Sequence, residues 1–488
     1  MHIQTKMPNK WKGKLPSFIR WEKVYSFTET QSCHALVAYP TNIAQCQEAL
    51  SFCISNGLML CPRGSGHSYG DIALNEENLI LNTQGMRRIL SLDTERAQMV
   101  AEAGVRIIEA YQRALPHGMS LSASPGEGSV TIAGGIANNI HGKDSWRLGN
   151  FGEQILSLTL LLASGEIVEC TREIRSELFF ATIGGMGLTG IILHARIQLQ
   201  RIPSPVLTST ITPASNLKEL LRKLAEIRKE NDFIVAWMDF HPRGASLGRG
   251  LISHGRWNEE HTEAEQADNV KKMNFLAEEG LPPKQVWKWV PALVNPLTSR
   301  LFNWANYIAH RLKYISPLKD NRELFTEYNF WGSRIPDTKD LCGDAGVLES
   351  ELFVPKAHAE EGIRRIIEIC HTHRCVPIMS VMKMHKADDF LVSFEGEGYG
   401  LTVEINLKGH SQQAIRTFID ALFGYLTGIG GKVYLAKDQV LTESQFKQLY
   451  PNYTSYLTVK RTYDPENRFQ SDMYRRLFGL EGQYHAHS

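Results

Sequence analysis

The stretch Pro62-Arg63-Gly64-Ser65-Gly66-His67-Ser68-Tyr69-Gly70-Asp71 constrains this chain more than any other. Its glycines let the backbone turn tightly and bring several N–H groups against a bound anion. An apolar run, residues 58–61, leads in, and a β-like run, residues 79–82, follows. The loop therefore lies between strands and does not open a helix. A second small-residue segment, residues 124–143, carries Gly134, Gly135, Asn139, His141 and Lys143. Two such loops suit a long diphosphate-bearing cofactor better than a mononucleotide.

At 488 residues the chain has room for two domains or one large composite one. Its 53 basic and 52 acidic residues leave a net charge of +1, so nothing in the overall charge points to nucleic acid. The best apolar run, residues 155–163, is interrupted by Ser157 and Thr159, which argues against a membrane span. Residues 1–16 are basic but lack the apolar core of a secretory signal. The protein is expected to be cytoplasmic, either free or resting on the inner face of the membrane. Its eight cysteines are then expected to be free thiols. The run Cys370-His371-Thr372-His373-Arg374-Cys375 has metal-ligand residue types. It falls where a helix (362–369) is predicted to pass into a strand (376–381), with no second Cys/His pair nearby, and no metal site is assigned.

Periodicity predicts helices over 43–55, after a cap at Thr41 or Asn42, over 106–115 and over 175–182. Strands are predicted at 35–39, 58–62, 78–82, 97–102, 154–163, 166–170 and 190–200, with Ser164-Gly165 turning a hairpin. This is an α+β pattern, not a regular βαβ series. Near residue 205 the composition shifts to charged helical sequence (217–229, 263–280). Strands and helices alternate from 347 to 428, and a basic helix (471–478) closes the chain. The division read from this is 1–205, 206–429 and 430–488.

Within the second region lies a tryptophan-rich stretch, 287–314. It mixes Trp287, Trp289, Phe302, Trp304 and Tyr307 with Lys284, Lys288, Arg300, Arg311 and Lys313. Such a stretch fits peripheral contact with a membrane surface. It also fits a lid or domain-interface helix with its aromatics turned inward. Pro291 and Pro296 favour the second reading, because they interrupt a long amphipathic face.

Residues 185–190 spell G-x-G-x-x-G, the dinucleotide-binding pattern. That pattern needs a strand before it and a helix after it. Here a helix precedes, and residues 193–199 alternate with period two as a strand does. The context is inverted, and the nicotinamide reading is rejected.

Taken together, the loops resemble the flavoprotein superfamily of vanillyl-alcohol oxidase and p-cresol methylhydroxylase (PCMH). Residues 63–71 match its R-G-x-G-x-S-x-x-D pyrophosphate loop. Ile140-His141-Gly142-Lys143, Gly149-Asn150-Phe151-Gly152, residues 184–190 and Tyr434-Leu435-Ala436-Lys437-Asp438 are similar to the decaprenylphosphoryl-ribose oxidases within that superfamily. So is the terminal Val459-Lys460-Arg461, Asp464-Pro465 and 469–477. The resemblance implies an α+β fold: a two-subdomain PCMH-type FAD-binding domain, an α+β substrate (cap) domain, and a C-terminus that returns to the flavin. It implies oxidation of a sugar hydroxyl, free or lipid-linked, with hydride passing to flavin N5 and the proton to a base. It also implies a partner reductase.

On that resemblance Arg63, Gly64, Ser65, Gly66, His67, Ser68, Tyr69, Gly134, Gly135, Asn139, His141, Gly187 and Lys437 contact FAD. His67 stands where sugar-lactone and alditol oxidases bond histidine to the flavin, and the polyprenyl branch carries arginine there. It either forms that bond or hydrogen-bonds pyrophosphate or backbone. Lys437 is a cation for the reduced flavin or a base if burial lowers its pKa. His141 is the second candidate base and Lys383 a third catalytic candidate, on the face of Val381 and opposite Met382 and Met384. Tyr434, Glu349, Glu351 and Thr402 are candidate substrate contacts. The two carboxylates argue against a phosphorylated substrate.

Two alternatives stand beside the polyprenyl reading. One is an aldonolactone or alditol oxidase with FAD bonded through His67, although 348–352 lacks the arginine of that group's Glu-x-Arg motif. The other is a non-catalytic flavin-binding scaffold.

Overall fold

The computed structural model describes residues 8, 11, 15–278, 295–316, 320–330, 345–378, 380–394 and 396–482. A first sheet is ordered β1-β2-β4-β3, from β1 (Ile19–Tyr25), β2 (Ser32–Ala38), β3 (Leu60–Arg63) and β4 (Leu79–Asn82). The helix Ile43–Ser55 joins β2 to β3. Asn42 caps it by accepting from the Gln45 N–H, and Cys46, Ala49, Leu50 and Cys53 recur at helical spacing as its buried stripe. This crossover lets β2 and β3 both run parallel to β4. The glycine-rich loop leaves from the carboxyl end of β3.

The second sheet is antiparallel. Along the chain come β5 (Ile89–Asp93), β6 (Gln98–Glu102), the short β7 (Met119–Ser120), β8 (Ile155–Leu161), β9 (Ile167–Thr171), β10 (Ile191–Gln198) and β11 (Gln200–Arg201). The sheet order is β5-β6-β10-β8-β9, with β7 and β11 paired separately. Helices Ile107–Ala114, Ile132–Ala137 and Ser176–Thr182 pack on it through one buried cluster. The helix Ser176–Thr182 before residues 185–190 and the strand β10 after them confirm the inverted context of the G-x-G-x-x-G run.

The third sheet has eight strands: β12 (Val206–Ala214), β13 (Phe233–Met238), β14 (Gly250–Trp257), β15 (Asp320–Leu324), β16 (Val347–Pro355), β17 (Ser380–His385), β18 (Gly398–Asn406) and β19 (Lys432–Val433). Their order is β15-β12-β14-β13-β17-β18-β16-β19. Helices Leu217–Ile227, Ala359–Thr372 and Gln412–Gly428 cover one face, burying Leu220, Ile366 and Phe418 with Ala236, Met382 and Leu401. Period-two alternation sends the intervening residues to the other face, where a cavity lies.

Two expectations need correction. The strand predicted from 376 begins at Ser380. Pro377 has no N–H for a ladder, and Arg374 turns left-handed at φ 58° after the helix, with the Cys375 N–H returning to the Cys370 carbonyl. The inward reading of the tryptophan-rich stretch holds for the buried Tyr307 but fails for Phe302 and Trp304. The helix Pro296–Tyr314 runs unbroken, since proline at its first position costs no hydrogen bond, and Phe302 and Trp304 point outward, 68% and 50% exposed. Trp287, Trp289, Lys284, Lys288 and Pro291 lie outside the described residues, as does Cys342. The seven described cysteines are free and buried. No helix among the described residues is long and apolar enough to cross a membrane.

The C-terminal segment returns to the first loop. The Leu60 N–H donates to the Arg468 carbonyl at 2.8 Å and the Gln470 N–H to the Leu60 carbonyl at 3.0 Å. Arg476 joins Asp71, in the loop, to Asp438, at 2.6 and 2.9 Å. The fully buried Lys460–Asp464 pair, 2.6 Å apart, fixes this return, because Asp464 also accepts from the Arg468 and Phe469 N–H groups.

Candidate active site

The loop at 62–69, the segment 124–143, residues 186–190, the cavity face of the eight-stranded sheet and residues 434–437 enclose one cavity of about 410 Å³. Within the first loop, the N–H groups of Gly64, Ser65, Gly66 and Ser68 have no acceptor among the described residues. Unpaired amides in a tight turn are a ready anion nest. At two of the glycines the neighbouring side chains leave no room for a Cβ. A Cβ at Gly64 would stand 2.1 Å from Thr131 Oγ1, and one at Gly66, where φ is +77°, would stand 2.1 Å from the Arg63 guanidinium. Thr131 is itself fixed as the cap of helix Ile132–Ala137.

Sheet register builds the reactive end. In β16 and β18, Glu349 pairs with Glu404 and Glu351 with Thr402. In β17, Val381 and Lys383 share the cavity face while Met382 enters the core. Residues after β19 bring in Lys437: the Tyr434 N–H donates to the Glu351 carbonyl at 2.8 Å, and the Tyr69 N–H to the Ala436 carbonyl at 2.9 Å.

These side chains form one continuous chain of close polar and charged contacts. Lys383 Nζ lies 3.3 Å from His141 Nδ1, and His141 Nε2 lies 3.3 Å from Glu351 Oε1. Glu351 Oε2 is 3.0 Å from Lys437 Nζ, which is 2.6 Å from Glu349 Oε1. The order of partners assigns the tautomer: Nδ1 of His141 accepts and Nε2–H donates. Burial draws His141 below its ordinary pKa, with Glu351 opposing and Lys383 adding to the fall. Burial likewise lowers Lys383, as does the Lys437 ammonium, against Glu351. For Lys437 burial is outweighed by Glu349 and Glu351, and its pKa rises. Against burial, His141, Lys437 and Lys383 hold Glu351 well below the usual carboxylate range. Burial and then Glu349 raise Glu404 well above the usual carboxylate range.

Several expected contacts are brought together here. Gly64, Ser65, Gly66, His67, Ser68, Tyr69, Gly134, Gly187, His141, Lys383, Glu349, Thr402, Tyr434 and Lys437 all line the cavity. Four others sit differently. Arg63 borders it, but its guanidinium donates to the carbonyls of Tyr25 and Ala73 at 2.8 and 3.1 Å. Gly135 faces Ile140 and Phe151, behind the wall. Asn139 is buried and spent on Asp388, Ser393 and the Gly152 N–H, while Asn138 takes the lining position. Glu351 stands behind His141. Lys437 is not a base by lowered pKa, since two carboxylates hold its proton.

Glu404, His385 and the Ser129–Glu127 pair were not read from the sequence. His385 packs edge-on against His141 with ring centroids 4.8 Å apart. With His141 and Glu351 it brings three potential ligand atoms within 4.8 Å, but the Lys437 ammonium, 3.0 Å from Glu351, opposes a cation. Lys143 lies beneath, donating to the Tyr328 carbonyl, and burial pushes it down to about 7.

Residues 34–171 match the family "FAD binding domain", and residues 346–477 match "D-arabinono-1,4-lactone oxidase". The chain is 29% identical to decaprenylphosphoryl-beta-D-ribose oxidase of Mycolicibacterium smegmatis, covering 85% of this chain and 88% of that protein. It is 24% identical to L-gulonolactone oxidase of Bos taurus, covering 94% and 98%. L-gulono-1,4-lactone dehydrogenase of Mycobacterium tuberculosis is 22% identical, covering 91% and 96%. The chain carries a PCMH-type FAD-binding domain and a D-arabinono-1,4-lactone oxidase domain, and it is an FAD-dependent oxidoreductase. The unpaired amides of Gly64, Ser65, Gly66 and Ser68 fit the pyrophosphate of FAD. Both family matches meet at the cavity: the first contributes the amide loops, the second Glu349, Lys383, Glu404 and Lys437.

Proposed function

We propose that this oxidoreductase removes a hydride from a sugar carbon bearing a hydroxyl, on a pentose carried by a polyprenyl phosphate. The observation that carries the reading is the chain Lys383–His141–Glu351–Lys437–Glu349 opening on the same cavity as the unpaired loop amides. Bound FAD supplies the two-electron acceptor at N5. Lys383 Nζ, with its pKa lowered, takes the hydroxyl proton, and His141 and Glu351 spread the charge it acquires. Lys437 stays an ammonium and orients the substrate oxygen. Glu404, protonated, donates into the cavity or to Glu349. Tyr434, whose hydroxyl donates to the Asn138 carbonyl at 3.0 Å, closes one side against water. The relative in Mycolicibacterium smegmatis, matched over most of both chains, supports the lipid-linked pentose. Anaerobic mixing with a polyprenyl-phosphoryl pentose should bleach the flavin. An unbleached flavin with that substrate rejects the assignment.

One observation favours a second reading, oxidation of an aldonolactone with flavin bonded to His67. Ser129 Oγ stands 2.9 Å from His67 Nε2 and donates onward to Glu127, so Nε2 carries the proton and the Nδ1 lone pair faces the cavity loop, accepting from the Ser65 hydroxyl at 2.9 Å. Acid precipitation separates the readings: a yellow pellet supports the bonded flavin, a colourless one excludes it.

A further inference from the structure

The helix Pro296–Tyr314 is mounted the wrong way round for a soluble protein. Surface helices turn their apolar face to the core. Here the buried stripe is Ser299, Asn303 and Tyr307, at a spacing of four. Polar contacts hold it to the eight-stranded sheet. Asn303 Nδ2 donates to Asp239 at 3.3 Å and to the Ile378 carbonyl at 3.1 Å, and the Arg249 guanidinium lies over the Tyr307 ring at 5.0 Å. Asp239 and Arg249 pair at 2.7 Å. These anchors sit beside the ends of β13 and β17, whose Val235 and Lys383 line the cavity.

The opposite face is apolar and in water. Leu297, Leu301, Trp304, Leu312 and Ile315 fall along it at helical spacing and are 50–79% exposed. At 3.6 residues per turn, Arg300 and Arg311 fall along one border of this face and Lys313 along the other. Across residues 281–319 the sequence has six Lys or Arg and no Asp or Glu, in a chain whose totals balance to +1. Apolar side chains between basic borders match a surface that is apolar below and anionic above. A protein partner needs no such exclusion of acidic residues.

We infer that the helix Pro296–Tyr314 lies in the surface of a bilayer bearing anionic headgroups, with Leu301 and Trp304 below the headgroup level. This holds whichever sugar is oxidised. The test is cosedimentation of the full-length flavoprotein with phosphatidylcholine vesicles, with and without phosphatidylglycerol. Binding is expected to the anionic vesicles and to weaken with salt. Leu301→Ser with Trp304→Ser, and separately Arg300→Glu with Arg311→Glu and Lys313→Glu, should each reduce it about tenfold or more, with flavin content unchanged. Three results overturn the inference. They are no cosedimentation with anionic vesicles, equal binding by wild type and both variants, or an apolar variant that alters only self-association in sedimentation velocity.

Discussion

Oε1 of Glu351 lies 3.3 Å from Nε2 of His141, and neither side chain is more than 5% exposed. The contact keeps the proton on Nε2 and the lone pair of Nδ1 turned to Lys383. Glu351→Gln keeps the shape and removes the charge. We expect flavin reduction by substrate to slow about 100-fold, within the range of one proton-transfer partner. Flavin content should not change. Anaerobic stopped-flow absorbance measures both.

Lys437 faces two buried carboxylates, Glu349 and Glu351. Lys437→Ala removes the cation in contact with both. The expected result is a loss of about 100- to 1,000-fold in the flavin-reduction rate and a lower melting temperature, read by single-turnover kinetics and thermal unfolding. Lys437→Arg should recover stability more fully than rate, because its planar fork does not place charge where Nζ does.

Gly64→Ala puts a methyl group 2.1 Å from Thr131 Oγ1, inside the amide nest. The variant should purify folded by circular dichroism yet hold about tenfold less flavin per chain. The ratio of flavin to protein absorbance checks this.

Lys143 has a folded-state pKa near 7 against an ordinary 10.5, with burial the main cause. Between those values the unfolded chain binds more protons, so this group makes stability rise with pH across that window. Lys143→Met removes the effect. Its melting temperature relative to wild type should be most favourable at and below about pH 7 and lose that advantage toward about pH 10. A gap that stays constant with pH would refute the assignment.

What could be seen in the sequence was whatever local spacing carries. The helix Ile43–Ser55 was read to its ends, because its cap and stripe are consecutive in the chain. The amide loop and the Tyr434–Lys437 segment were read from runs short enough to recognise. Glu404 was not, although it alternates with Thr402, because its importance comes from standing opposite Glu349 across a strand pair. Asn139 was misplaced because a left-handed backbone at φ 42° turns its amide away from the cavity. The outward Trp304 was hidden for a similar reason: Asp239 and Arg249, distant in the chain, claim the polar side of its helix.

The strand that launches the amide nest takes its last hydrogen bonds from Arg468 and Gln470. During synthesis, this early part of the polypeptide thus waits for a part made about four hundred residues later. Polypeptides halted by a stop codon before that point would leave the ribosome without a fixed cofactor cradle, however complete their catalytic side chains.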